Sequence, residues 1–178
     1  LEGNVSFNNG SIVRPSGGSN PNYNFSAEDL SDVSLINNFG YYPPAVSGTN
    51  AKLSYSGTYR NLVFTGNYLA NSGLAIHNWQ QVTATGNTFV EASVGGAYPA
   101  GVTPEYQVDR NTYHSTSVEP RFNFNSLPLA FAAWQALGFD ANGTFSSSQP
   151  TGVQAFVRPN RYEPGRGHVI VFNWGDLD

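Results

Sequence analysis

The sequence predicts an all-β solenoid, a chain wound into coils that stack on one another. Three observations carry that expectation. Two stretches superimpose, Asn61-Leu62-Val63-Phe64-Thr65-Gly66-Asn67-Tyr68-Leu69 and Gln81-Val82-Thr83-Ala84-Thr85-Gly86-Asn87-Thr88-Phe89, each a β-rich run, then Gly-Asn, then a pair ending in an apolar side chain. Their asparagines lie 20 positions apart, and a third copy, Gln107-Val108-Asp109-Arg110-Asn111-Thr112-Tyr113, follows after 24. Further copies open the chain, at Gly3-Asn4-Val5-Ser6-Phe7 and, more loosely, Leu35-Ile36-Asn37-Asn38-Phe39. A recurrence of roughly 20 to 50 residues is what stacked repeats leave in a sequence.

Each element has a local reason. A bend of about one residue between strands needs a left-handed backbone, which Asn tolerates better than any residue except Gly. The expectation is that Asn67, Asn87 and Asn111 make the bend and form a structural ladder, their amides donating and accepting along the stack. Val63, Val82 and Val108 before the bend, and Phe89 and Tyr113 after it, are expected to point inward. No coil buries such a face alone, so stability is a sum over coil interfaces. The alternative is a β-sandwich with tight hairpins, but those favour Asn-Gly, and here the order is mostly Gly-Asn.

Along the chain, residues 14–24 read as a protruding Gly/Ser/Pro/Asn loop, and regular coils run from about Ala51 to Tyr113. In the clearest coil, Leu74–His77, Val82–Thr85 and Thr88–Val90 are three successive strands, with Leu74 and Ile76 inside and Ala75 and His77 outside. The preceding coil offers Lys52-Leu53-Ser54-Tyr55, with Leu53 and Tyr55 inward and Lys52 and Ser54 outward. One short helix is expected over Ser126–Gly138, with Ser126 as cap, Pro128 in the first turn and Gly138 at the end. A C-terminal β segment follows, with strands at Gln154–Val157 and His168–Trp174. The division is therefore residues 1–125 as coils and 126–178 as helix plus strands packed on them, one domain overall.

Composition excludes several classes. Of 178 residues, 12 are acidic and 8 basic, for a net charge of −4. No basic patch suits nucleic acid, and no apolar run approaches the ~20 residues of a membrane span. Cys is absent, which fits a secreted, particularly bacterial, Asn/Ser/Gly/Thr-rich protein but also the cytosol. The chain starts without Met and inside a repeat. That reads as a fragment whose missing flanking segments, or a stacking partner, cover its N-terminal end.

These segments resemble the right-handed parallel β-helix superfamily of polysaccharide lyases and some glycoside hydrolases, and within it the large bacterial right-handed β-helix repeat proteins. The likeness rests on Gly3–Gly10, on the Gly66-Asn67 and Gly86-Asn87 pairs, on Asp109–Tyr113 with Phe131–Asp140, and on Arg158–Trp174. It implies the fold and the C-terminal portion of such a protein. No pectate-lyase-type calcium aspartates or basic catalytic residue find a match.

The resemblance implies polysaccharide binding along the outer face of the first sheet in each coil. The outward candidates there are Lys52 and His77 as catalytic residues, about 5 Å apart if adjacent coils are in register, and Tyr42, Tyr98 and Trp79 as substrate-binding rings. The plainer reading makes His77 a surface ladder residue. Glu28, Asp29 and Asp32, and Glu91, Glu105 and Asp109, are two local carboxylate groups that no spacing rule joins, and Asp109-Arg110 reads as an ion pair. Arg158, Arg161 and Arg166 near Glu163 suit either an anionic sugar or a paired turn. Tyr41, Tyr42, Tyr98, Trp79 and Trp174 are candidate stacking rings. No zinc pattern and no cofactor is expected, with calcium between Asp/Asn turns the only metal conceivable.

Three functions fit: an extracellular carbohydrate-active protein binding or degrading a polysaccharide, a non-catalytic surface or adhesive solenoid, and a phage or viral fibre segment. The first predicts a groove with ionisable groups, the second a flat outer sheet of Thr, Ser and Asn ladders, the third an apolar surface on a threefold axis.

Overall fold

The computed structural model describes all residues except 8–19, 26, 45–48, 55–56, 100–104, 118–120, 161 and 177–178. Most of the protruding loop, Tyr55 and Arg161 thus lie outside the described residues. In chain order the strands are β1 (Val5–Phe7), β2 (Tyr23–Asn24), β3 (Ser31–Ile36), β4 (Phe39–Tyr41), β5 (Thr49–Lys52), β6 (Arg60–Thr65), β7 (Tyr68–Ala70), β8 (Gly73–His77), β9 (Gln81–Thr85) and β10 (Thr88–Val90). There follow β11 (Val94–Ala97), β12 (Glu105–Asp109), β13 (Thr112–His114), β14 (Phe122–Phe124), β15 (Leu127–Leu129), helix α1 (Phe131–Ala136), β16 (Thr144–Ser146), β17 (Val153–Pro159) and β18 (Gly167–Asn173).

Up to β14 every third strand joins the same sheet, and β17 and β18 form a separate two-stranded sheet. One sheet runs β1-β4-β7-β10-β13-β16, a second β2-β5-β8-β11-β14-β15, and a third β3-β6-β9-β12. Pairing within these three sheets is parallel except for β14 with β15, and the β17–β18 pair is antiparallel. The protein is an all-β, parallel solenoid with one short helix. Side chains stack by register: Leu35, Phe64, Ala84 and Val108 lie over one another in the third sheet, all at 9% exposure or less. Burying each large apolar side chain contributes roughly 1.5–3 kcal/mol.

The corner between the third and first sheets is built twice over. Gly3, Asn37, Gly66, Gly86 and Arg110 take positive φ, and the residue after each is a ladder asparagine. This corrects the expectation that the ladder asparagines bend the chain: the preceding residue bends, and Asn is freed to stack. Its backbone N–H and Nδ2 both donate to the Oδ1 of the next coil. Asn67 reaches Asn87 at 2.8 and 3.1 Å, and Asn87 reaches Asn111 at 2.8 and 2.9 Å. Asn4 and Asn38 extend the same ladder upstream.

Asp140 ends it. Its carboxylate accepts from the Asn111 backbone N–H (3.1 Å) and Nδ2 (2.8 Å), the Tyr113 hydroxyl (2.6 Å) and Trp134 Nε1 (2.9 Å). A carboxylate brings no donor that would need a further coil, so it suits the last rung. Burial, then the Asp140 charge, pushes the Tyr113 phenol well above its ordinary pKa.

Several expectations are corrected. The helix spans only Phe131–Ala136, because Asn125 and Ser126 take positive φ and fold residues 122–129 into the β14–β15 hairpin. Two adjacent positive-φ residues suit a tight hairpin turn. Val63 points outward while Leu62 and Phe64 point in. Ser54 is buried and accepts the His77 backbone N–H at 3.0 Å. Asp109 is held chiefly by the Asn142 backbone N–H (2.8 Å) and Nδ2 (2.9 Å), with the Arg110 backbone N–H and charge contributing less to the lowering of its pKa.

The end of the core is aromatic. Phe122, Phe124, Trp134 and Phe139 pack with centroids 4.5–5.9 Å apart. A second, smaller core forms where the β17–β18 hairpin lies on the outer face of the first sheet. There Ile170 and Phe172 cover Phe39, Tyr68, Ala70 and Val90.

Candidate functional site

Beside that second core a cleft of about 1100 Å³ opens between the β1 side of the first sheet and β18. Strand alternation sends Val5 and Phe7 outward from β1 into the cleft, and Phe39 and Tyr41 from β4 extend the floor. Phe7 is 61% exposed. The opposite wall is β18 with Trp174, and Asn71, Gln149, Asn173 and Asp176 add amides and a carboxylate. Trp174 is fixed in place: it stacks on Phe172 (5.8 Å, 3°), and its Nε1 donates to the Tyr68 hydroxyl at 3.1 Å. Tyr68 in turn donates to Gln154 Oε1 at 3.0 Å. Desolvation raises the Tyr68 pKa to about 12, against the lowering effect of Trp174.

Rings bordered by amides are the chemistry that recognises hydroxyl-rich rings, apolar on one face and hydrogen-bonding at the edge. The signal for Phe7 was present in the sequence as Val5-Ser6-Phe7, an alternating apolar pair. Only the placement of a distant hairpin beside it makes it a site.

The residues expected to form a site on the second sheet are not brought together in that way. Lys52 stands beside Ala75, and His77 beside Ala97, so the two are offset along the strands. His77 is half-buried, and its pKa is lowered by burial first and Lys52 second, with no carboxylate contributing. Tyr42 and Trp79 are fully buried. Trp79 donates to the Leu53 carbonyl and packs on Tyr59 at 5.2 Å, and the Tyr42 hydroxyl donates to the Asn20 carbonyl. Large rings with one polar atom fill the coil corners well, which removes both from a binding surface. Tyr98 is half-buried and edge-on to Tyr106 and Phe124.

The carboxylates are dispersed. Asp32 accepts from Asn61 at 2.8 Å and Glu105 from Gln81 at 3.0 Å. Glu91 takes the Thr116 N–H and hydroxyl, both at 2.7 Å, the Ser115 hydroxyl at 3.1 Å and Arg121 at 3.0 Å. Burial opposes ionisation of Glu91, but these donors outweigh it and lower its pKa. Among the described residues no group of three or more His, Asp or Glu side chains gathers to hold a metal, and no helix is long and apolar enough to cross a membrane.

No family model matches the chain, and no curated protein or solved structure is significantly similar to it.

Proposed function

We propose that the protein binds a polysaccharide in the cleft between β1 and β18, as a binding module of the right-handed parallel β-helix kind from a secreted bacterial protein. The observation that carries this reading is the cleft itself, with the Phe7, Tyr41 and Trp174 rings beside Asn71, Gln149 and Asn173. Its volume lies at or above the roughly 300–1,000 Å³ of drug-sized pockets, room for several sugar units. Binding is favoured over cleavage because Asp32, Glu91, Glu105 and Asp109 are each engaged by partners on neighbouring coils, whereas hydrolysis needs two carboxyl groups working together at about 5–9.5 Å.

The test is a panel of neutral and acidic polysaccharides titrated against the chain. Retention of at least one polymer, weakened by Phe7→Ala, supports the reading, and an unsaturated product absorbing in the ultraviolet would replace it with a lyase. A second reading, a structural solenoid, is favoured by the outer face of the third sheet. There Thr65 and Thr85 stack with hydroxyls 3.5 Å apart. In that case no polymer binds.

A further inference from the structure

Resting on the reading of the cleft as the binding site, we propose that its β18 wall also accepts an extended segment of a partner polypeptide, which pairs with the strand edge and closes the cleft to polysaccharide. The observation that carries this is which residues line the cleft. Every residue from Gly167 to Trp174 does so, and no residue of β17 does. Side chains alternate between the two faces of a strand, so a face would contribute every second residue. An unbroken run means that the cleft lies along the edge of β18, where the backbone is presented.

That edge is free. β17 and β18 form a two-stranded sheet of their own, so among the described residues no strand pairs with the far side of β18. In an antiparallel pair alternate residues bond to the partner strand, and the others turn their N–H and C=O groups to the open side. Folded proteins guard such edges with charge, proline or a bulge. β17 ends on Arg158-Pro159. β18, by contrast, has no acidic residue, Lys, Arg or Pro, and it pairs with β17 without a register shift. Its seven residues, at about 3.4 Å each, give an open edge of roughly 24 Å.

The floor suits the underside of a strand. Val5 and Phe7 face the cleft from β1 at 37% and 61% exposure, with Tyr41 of β4 beside them. A strand added to β18 sets every second side chain on these residues and gives the hairpin the third strand that a small sheet needs to be stable. The β18 of a second copy does not fit. Its hairpin is backed by its own first sheet through Ile170 and Phe172, and that sheet would have to stand where the floor already is. The occupant is therefore a single extended segment with apolar residues at alternate positions, the mode in which peptides add to sheet edges. Charge narrows it further. No Lys or Arg lines the cleft, and its one carboxylate, Asp176, follows Trp174, so a basic residue at one end of the segment finds its counter-ion there.

The experiment titrates the full chain with the fluorescent peptide Lys-Val-Thr-Val-Thr-Val-Thr and with two versions of it, N-methylated at one or the other set of alternate amides. Methylation keeps the side chains and removes the edge bonds. The parent peptide should bind, one methylated version should bind about tenfold or more weakly, and the other should bind like the parent. Phe7→Ala should weaken the parent peptide, and Val157→Ala, on β17, should leave it unchanged. The peptide should also displace whichever polysaccharide the chain retains. Equal affinity of all three peptides, or binding of none while a polymer is retained, overturns the inference and leaves the sugar reading standing. Peptide and polymer bound together without competition overturn the closing of the cleft. A dimer that forms with rising concentration and that the peptide dissociates overturns the choice of partner. Peptide binding by a chain that retains no polymer overturns the sugar reading and upholds the strand edge.

Discussion

The stacked corner at Asn67, Asn87 and Asn111 and the β17–β18 hairpin solve the same problem, holding strands in register, by opposite means. At the corner, each of these asparagines follows a residue of positive φ (Gly66, Gly86 or Arg110) and makes the same paired bonds to the next coil. At the hairpin nothing repeats. Phe156, Ile170 and Phe172 pack on one sheet face, while Val153, Val157, Val169 and Val171 remain 54–66% exposed on the other. A two-stranded hairpin has little stability of its own, so this one persists by docking. The difference teaches that the regular coils provide rigidity and the irregular piece creates a concave surface, because a perfect stack has flat sides.

The largest effect expected from breaking this contrast is at an interior rung. Asn87→Leu removes the acceptor of the Asn67 N–H and of one Asn67 Nδ2 bond, and the Nδ2 donor to the Phe64 carbonyl and the Asn111 Oδ1, while the backbone N–H at position 87 still reaches Asn111. At about 1–3 kcal/mol for each buried orphan, the loss should exceed about 3 kcal/mol in denaturant midpoints. The same change at Asn4, the exposed first rung, should cost under about 1 kcal/mol. Equal costs at the two positions would mean that the ladder is not what holds the corner.

Phe172→Ala should come next, at about 3 kcal/mol for a buried phenyl, but felt locally. Hydrogen exchange should rise across residues 153–173 while β6, β9 and β12 keep their protection. Loss of protection across all three sheets would show that hairpin and coils unfold as one unit. Asp140→Asn is nearly isosteric yet places an NH₂ among donors, and should cost about 2 kcal/mol.

A smaller effect follows from the phenols. Desolvation raises the pKa of Tyr23, Tyr68 and Tyr106, and burial followed by Asp140 raises that of Tyr113. Unfolded tyrosine ionises near 10, and Tyr68 in the fold near 12. The folded state therefore keeps protons that the unfolded state gives up. This stability is complete below pH 10 and is lost as pH rises from 10 towards 12. Melting temperatures should hold to pH 9.5 and then fall, and a flat profile to pH 12 would contradict the burial of these rings.

At the acid end the sign is reversed. Glu91 is held below its ordinary value, so its contribution is present above about pH 4.5 and is lost as pH falls through the folded value. Glu91→Gln should flatten that limb.

Much of the fold was legible because it repeats. Gly66-Asn67 and Gly86-Asn87 mark a corner whose demands are met by residues next to each other in sequence. Alternation then placed Leu74 and Ile76 inside and His77 outside. Where a segment met only once had to be read, locality failed. Ser126-Leu127-Pro128 carries helix-start chemistry, yet Asn125-Ser126 turns the chain and β14 offers Leu127–Leu129 an edge to pair with. The candidate site was the least legible part. Tyr41 and Trp174 were visible as rings but not as partners, and Tyr42 and Trp79 could not be recognised as buried, since a ring's burial depends on coils arriving from elsewhere.

By itself, then, the sequence determined the winding: the repeat length, the side chains facing in, and the amide-bearing corners. These follow from steric and hydrogen-bonding rules that act over a few residues and recur. The tertiary structure alone decided where the C-terminal hairpin lies and which rings it leaves bordering open space. It also decided that Arg158 comes to rest against Phe39 with no hydrogen-bond partner for its Nε among the described residues. Those outcomes depend on surfaces more than a hundred residues apart meeting in space, as Trp174 and Tyr68 do across 106 positions, and no local rule fixes such a meeting.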